Sequence, residues 1–163
     1  MNPKAQFMHQ LQQHEDEKAA GKKRLEKDIS EFQSRMKALA DEIKGWLRDI
    51  PQVTVKVEQT TLVDPTIPAN LSPQEFYQIC TILVTAGDRS LRFKPTCLYL
   101  FGCTGEVELE YRGLHSAPRY KAYMWEPNVP AGKWALIGLE QNKSAPQELD
   151  EAAFFNLLSR LIR

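Results

Sequence analysis

The sequence predicts an α+β protein: a long N-terminal helix, an antiparallel meander of six to seven strands, and a C-terminal packing helix. Apolar residues recur at steps of four and three over residues 25–50, the heptad period of an under-wound helix. After Pro51 the period falls to two, as in half-buried strands. We therefore divide the chain into a helical, coiled-coil-like segment, residues 1–50, and a β-rich domain, residues 51–163, which a terminal helix closes.

Composition narrows the classes of function. Lysine plus arginine and aspartate plus glutamate each number 21 among 163 residues, so no global field attracts nucleic acid or an anionic membrane. Three cysteines in apolar surroundings indicate buried thiols in a reducing compartment. The N-terminus lacks the apolar region of a signal peptide, and no stretch approaches the roughly 20 apolar residues of a spanning helix. We expect a cytoplasmic protein.

The heptad seam is the most regular feature of the chain. At about 1.5 Å per residue it is close to 40 Å long, more than a small sheet covers along its whole length. Two ways of burying it compete: pairing with a second copy or another protein, or packing on the chain's own sheet. Trp46 and Ile50 adjoin the sheet, which leaves the upstream turns for a partner. The candidate interface residues are Leu25, Ile29, Phe32, Met36, Leu39, Ile43 and Trp46.

Upstream of the seam, residues 4–24 have a weaker helical pattern. Met8 and Leu11 continue the register, but Gly21 interrupts it at a cost of about 1 kcal/mol relative to alanine. The register positions between Leu11 and Leu25 are polar: Glu15, Lys18 and Lys22. This end is expected to fray, or to become ordered only against a partner.

Alternation and turn residues predict the strands. Val53 to Val57 alternate with polar residues, and two prolines mark a loop over residues 64–70. Ser72-Pro73-Gln74-Glu75 has the form of a capping box, which predicts a short helical turn before a strand at residues 79–85. Further strands are expected at the following ranges: residues 91–94, 97–101, 107–111, 119–125 and 134–139.

Two groups of side chains on these strands have possible chemistry. Glu106, Glu108 and Glu110 share one face of a strand, where cross-strand pairing with lysine or arginine explains them without a metal or an acid/base function. On a later strand, cations alternate with aromatic rings, a pattern that stacks and pairs with single-stranded nucleic acid or a peptide. This possible ligand face consists of Arg119, Lys121, Tyr123 and Trp125.

The C-terminal helix is predicted from Ser144 as N-cap, with Pro146 in its first turn. Its apolar stripe broadens the usual i, i+3, i+4, i+7 spacing, which indicates a helix that packs on the sheet. The stripe contains Leu149, Ala153, Phe154, Leu157, Leu158 and Leu161.

The sequence lacks a catalytic signature. Cys103 with His115 is the one conceivable nucleophile and base, and nothing around either residue supports the pair. His9 and His14 are five residues apart on a helix and so point to different faces, which makes a poor ligand pair for a metal. We therefore predict no catalytic residues, no metal and no cofactor.

The leading hypothesis is a non-enzymatic interaction or assembly protein, which self-associates or joins a larger complex through its N-terminal helix. One alternative is a small domain that binds nucleic acid or peptide through the possible ligand face. Another is an inhibitor of the antitoxin or immunity type, which rests only on size and the lack of catalytic residues.

Overall fold

The computed structural model describes residues 2–72, 74–140 and 145–162. Helix α1 spans Pro3–Trp46, without a break at Gly21. Asn2 caps its N-terminus, where Asn2 Oδ1 accepts a hydrogen bond from Ala5 N at 2.7 Å, and proline occupies the first helical position. The segment that we expected to fray is therefore helical along its whole described length.

Seven strands follow and form one antiparallel sheet in sequential order. Each strand pairs with the next in the chain, so the sheet is a meander, as the sequence predicts. The strands are β1 (Val53–Val63), β2 (Phe76–Ala86), β3 (Arg89–Leu100), β4 (Cys103–Arg112), β5 (Tyr120–Trp125), β6 (Ala135–Gly138) and β7 (Gln147–Glu148).

The last part of the chain differs from its prediction. Helix α2 spans Glu151–Leu158 and continues as a 3₁₀ turn over Ser159–Ile162. Its N-cap is Asp150, which accepts a hydrogen bond from Ala153 N at 2.8 Å. Pro146 lies before the helix, and Gln147–Glu148 form β7. The predicted cap, Ser144, lies outside the described residues. Pairing with β6 thus determines the conformation of a stretch whose local sequence favours a helix.

The capping-box prediction at Ser72 was wrong for the residues that the structure describes. Ser72, Gln74 and Glu75 are not helical, and β2 begins immediately afterwards at Phe76. The Ser72 hydroxyl forms a local turn instead: it accepts a hydrogen bond from Gln74 N at 3.2 Å. This is the competing use of a serine side chain outside a helix. Pro73 lies outside the described residues.

The charged face of the sheet follows the predicted cross-strand pairing. Glu110 lies opposite Arg92, and Glu108 lies between Lys94 on one side and Lys121 on the other. The β3–β4 register shifts at Pro95, where a proline cannot contribute an N–H to the ladder.

A single hydrophobic core joins the sheet to both helices. Phe154 of α2 is fully buried, and its ring lies 5.2 Å from Trp46 of α1 and 6.4 Å from Phe93 of β3. The two helices and the sheet therefore stabilise one another through the same side chains, and the seam of α1 belongs to the same core as the β-rich residues.

One buried polar centre fixes the long β1–β2 connection. Asp64 is 0% exposed and accepts four hydrogen bonds, two at each carboxylate oxygen. Oδ1 accepts from Thr66 N at 2.9 Å and from Thr66 Oγ1 at 2.5 Å. Oδ2 accepts from Tyr77 OH at 2.7 Å and from Leu98 N at 2.9 Å. The carboxylate thus joins the loop to both β2 and β3.

Candidate interaction surfaces

The seam residues that we predicted as a partner interface are covered by the chain's own sheet. Phe32, Met36 and Ile43 are 0% exposed, and Ile29 and Trp46 pack on the same core while partly exposed. In this conformation the stripe is core rather than a free surface, because a heptad pattern reports only that one face is apolar. The buried members are Leu25, Phe32, Met36, Leu39 and Ile43.

Polar contacts show how far along α1 this coverage extends. Tyr99 OH donates to Asp28 Oδ2 at 2.6 Å, and the Gln33 side chain donates to the carbonyl oxygen of Gln78 at 2.6 Å. At Gly21 an added Cβ would lie only 2.9 Å from the Leu71 side chain. The β1–β2 connection therefore reaches Gly21, which is the upstream limit of the covered helix.

On the N-terminal side of Gly21, no other part of the described chain covers the helix. Every residue from 3 to 20 is exposed, and at about 1.5 Å per residue this projecting segment is roughly 27 Å long. Phe7, Met8 and Leu11 are 63%, 60% and 47% exposed. Their spacing places them within about 100° of one another around the helix, so they form one apolar face.

Phe7, Met8 and Leu11, which we call the apolar tip, continue the buried stripe of α1 onto the projecting segment. Lys4, Glu15, Lys18 and Lys22 lie on the same side of the helix, by the same 100° geometry that aligns the tip with Leu25. Cations thus outnumber the single carboxylate along the face. Two such helices in parallel register would place Glu15 against Glu15 and each lysine against its copy, which is unfavourable.

The possible ligand face is only partly assembled by β5. Tyr123 and Lys121 are partly buried, whereas Trp125 is 44% exposed and Arg119 lies just before the strand. Lys121 Nζ is 3.3 Å from Glu106 Oε1, and the same carboxylate oxygen accepts from Thr96 Oγ1 at 2.8 Å. The lysine is therefore paired with a carboxylate of the same sheet.

Glu106 is 8% exposed, although alternation places it on the outer face. Burial and the neighbouring Glu106 carboxylate raise the pKa of Tyr123 to about 12, so this phenol is protonated at neutral pH. The local chemistry of β5 is a closed hydrogen-bonded group rather than a row of free cations. Alternation in the sequence did not reveal this group, because it does not show that Glu106 lies opposite Tyr123 across the β4–β5 ladder.

The thiols have the properties of unreactive cysteines. Burial, with Glu106 nearby, raises the pKa of Cys97 to about 11 and raises that of Cys103. Cys103 begins β4 and His115 follows its other end, so the strand, roughly 30 Å long, separates them. The structure does not bring together the one nucleophile and base that the sequence offered.

Within residues 2–72, 74–140 and 145–162, no three histidine, cysteine or acidic side chains are grouped so that they could hold a metal ion. Over the same residues, neither helix has an apolar stretch long enough to cross a membrane.

Sequence reasoning missed an apolar groove at the C-terminal end of α1. It encloses about 570 Å³ between the end of α1, the β2–β3 turn and the C-terminal 3₁₀ turn. Ile162, at its rim, is 80% exposed. The groove is lined mainly by Leu47, Ile50, Val53, Phe155, Leu158 and Ile162.

No protein-family model matches this sequence, and no curated protein or solved structure is significantly similar to it.

Proposed function

We propose that this is a non-enzymatic, cytoplasmic interaction protein that joins a larger complex through the projecting segment of α1. The observation that carries the proposal is a difference in length between α1 and the rest of the domain: α1 is 44 residues long, and the described residues cover it only from Gly21 onward. Most helical stability in proteins comes from tertiary packing, and residues 3–20 have none within the described part of the chain. An uncovered apolar tip on such a segment is suited to a partner.

The charge pattern favours a different protein over a second copy at this tip. Parallel self-pairing opposes like charges at Glu15, Lys18 and Lys22. A helix-in-groove complex instead uses a few apolar anchors on one helical face. The proposed partner presents an apolar groove that accepts Phe7, Met8 and Leu11, with acidic residues at its rim to match the lysines.

The properties of two thiols and of Lys121 support a non-enzymatic role. The two partly exposed thiols have raised pKa values, which lowers their nucleophilicity at neutral pH. Lys121 is paired with a carboxylate rather than free to act on a ligand. These are the properties of a structural sheet that holds a helix in place.

The test compares one triple variant and one double variant in the cell from which the chain derives. Phe7→Gln/Met8→Gln/Leu11→Gln replaces the apolar tip with glutamine, which is a good helix former. Gln6→Ala/Gln13→Ala alters the opposite face of the same turns. Each tagged protein is isolated with its bound partners, and the complex is then reconstituted from purified components.

We expect the first variant to lose the complex and the second to keep it. Equal retention of the complex by both variants, with unchanged thermal unfolding, would place the binding surface elsewhere and overturn the proposal.

A further inference from the structure

The two edges of the sheet are very different. Among the described residues, one edge is β7, with two residues, and the other is β1, with eleven residues that pair on one side only. The β1–β2 register runs without a shift from Val53 to Val63, so β1 has no bulge. None of the residues of β1 is fully buried, and none is proline. A long regular edge of this kind offers unpaired N–H and C=O groups to another strand.

Edge strands are commonly protected from pairing with another chain by a lysine, because its charge is unfavourable to bury in an interface. β1 has such a residue, Lys56, whose side chain is 69% exposed. Its Nζ, however, lies 2.8 Å from Oε1 of Glu58, two residues along on the same face of the strand. The protective charge is therefore paired with its opposite, and the edge is electrically balanced.

We propose that β1 is a symmetric docking edge for a second copy of this chain, with the two-fold axis at Val57. In antiparallel pairing around this axis, Lys56 of each copy lies opposite Glu58 of the other, which gives two cross-strand ion pairs. Val57 lies opposite itself and Thr54 lies opposite Thr60. The result is a continuous sheet through both protomers, a closed isologous dimer.

Charge selects this register among its neighbours. A two-fold axis perpendicular to the sheet must pass beside a residue, because directly opposite side chains share a face. An axis at Lys56 opposes lysine with lysine, and an axis at Glu58 opposes glutamate with glutamate. Only the axis at Val57 matches Lys56 with Glu58 in both copies.

The helices leave room for this dimer. On the inner face α1 packs mainly on β2, and the two β2 strands would be three strand spacings apart, about 14 Å. Packed helices approach to about 8–10 Å, so this spacing separates the parts of the two α1 helices that lie on β2. The edge is distinct from the projecting segment, and the inference does not depend on the proposed function.

The experiment is a charge-reversal cycle, measured as solution mass against concentration by sedimentation equilibrium. Lys56→Glu and Glu58→Lys each replace two attractive cross-strand pairs with two repulsive ones. Both side chains are mostly exposed, and circular dichroism and thermal unfolding check that each variant is folded.

We expect a wild-type dimer and, for each single variant, a dissociation constant higher by roughly 10- to 100-fold, from cross-strand pair contributions of this size. An equimolar mixture of the two variants should associate again as a heterodimer, and the double swap Lys56→Glu/Glu58→Lys should restore the homodimer.

A monomeric wild type, or single variants that dimerise as tightly as the wild type, would overturn the inference. The Phe7→Gln/Met8→Gln/Leu11→Gln variant separates the two proposals. If that variant remains a dimer, the edge and the tip are independent surfaces. If it becomes a monomer while Lys56→Glu stays dimeric, the tip is the self-association surface and the edge proposal fails.

Discussion

The Asp64 carboxylate should be among the most sensitive positions in the chain. Asp64→Asn replaces one carboxylate oxygen with an NH₂ group, which cannot accept either of the two hydrogen bonds made there. Whichever oxygen is replaced, a backbone N–H is left facing a donor: that of Thr66 or that of Leu98. Hydrogen bonds to a charged group contribute about 1.5–3 kcal/mol each, so the expected loss in unfolding free energy is about 3–6 kcal/mol.

The assay is urea denaturation, in which tryptophan fluorescence and circular dichroism monitor unfolding. Tyr77→Phe removes one of the four bonds and should cost less, about 1.5–3 kcal/mol. Asp49→Asn is the matched control: Asp49 is exposed just after α1, and such surface changes stay within about 0.5 kcal/mol. If Asp64→Asn lost no more than this control, the account of a buried carboxylate that joins loop and strands would be refuted.

Three further predictions address the core, the phenols and the thiols. Phe32→Ala should lower the unfolding free energy by about 3–5 kcal/mol because Phe32 is fully buried. Phe7→Ala, at an exposed position, should change it by less than about 0.5 kcal/mol. Equal effects of the two substitutions in urea denaturation would contradict the burial of the seam. Because burial raises the pKa of Tyr123 to about 12, the unfolded chain loses this proton first, near pH 10, and stability should fall as pH rises from about 10 to 12. Urea midpoints measured across this range test the claim, and Tyr123→Phe should reduce the fall; an identical profile would count against it. Cys97, whose pKa is raised to about 11, should be alkylated by iodoacetamide at neutral pH much more slowly in the folded protein than in urea, as mass spectrometry of the modified peptide would show; equal rates would rule this out.

Several features of the fold follow from local sequence. The 3.5-residue period of residues 25–50 and the alternation at Val53, Val55 and Val57 indicate the helix and the first strand, because each period places apolar groups on one face. The hairpins follow from turn residues such as Gly87 and Gly102, both of which have positive φ in the structure. The α+β class and the sequential meander were therefore accessible from the residues alone.

Other local signals were overridden by pairing. The capping-box residues Ser72 and Gln74 remain non-helical because β2 starts directly after them. The C-terminal helix starts at Glu151 because the preceding residues pair with β6. At Gln147–Glu148 the free energy of pairing with β6 exceeds a local helical preference of a few tenths to about 1 kcal/mol per residue.

The choice between core and interface was a tertiary matter. A stripe from Leu25 to Ile43 is apolar whether a sheet or another helix covers it, so its residues predict burial but not what buries them. Likewise, residues 34 apart in the chain, Asp64 and Leu98, meet only after β2 and β3 are in place. The sequence by itself determined the elements and their apolar faces, since these depend on neighbours within a few residues. Only the folded chain decided that the cover of α1 ends at Gly21, against Leu71 of the β1–β2 connection, and that the described residues leave the first turns of α1 uncovered, because that depends on where distant segments of the chain lie.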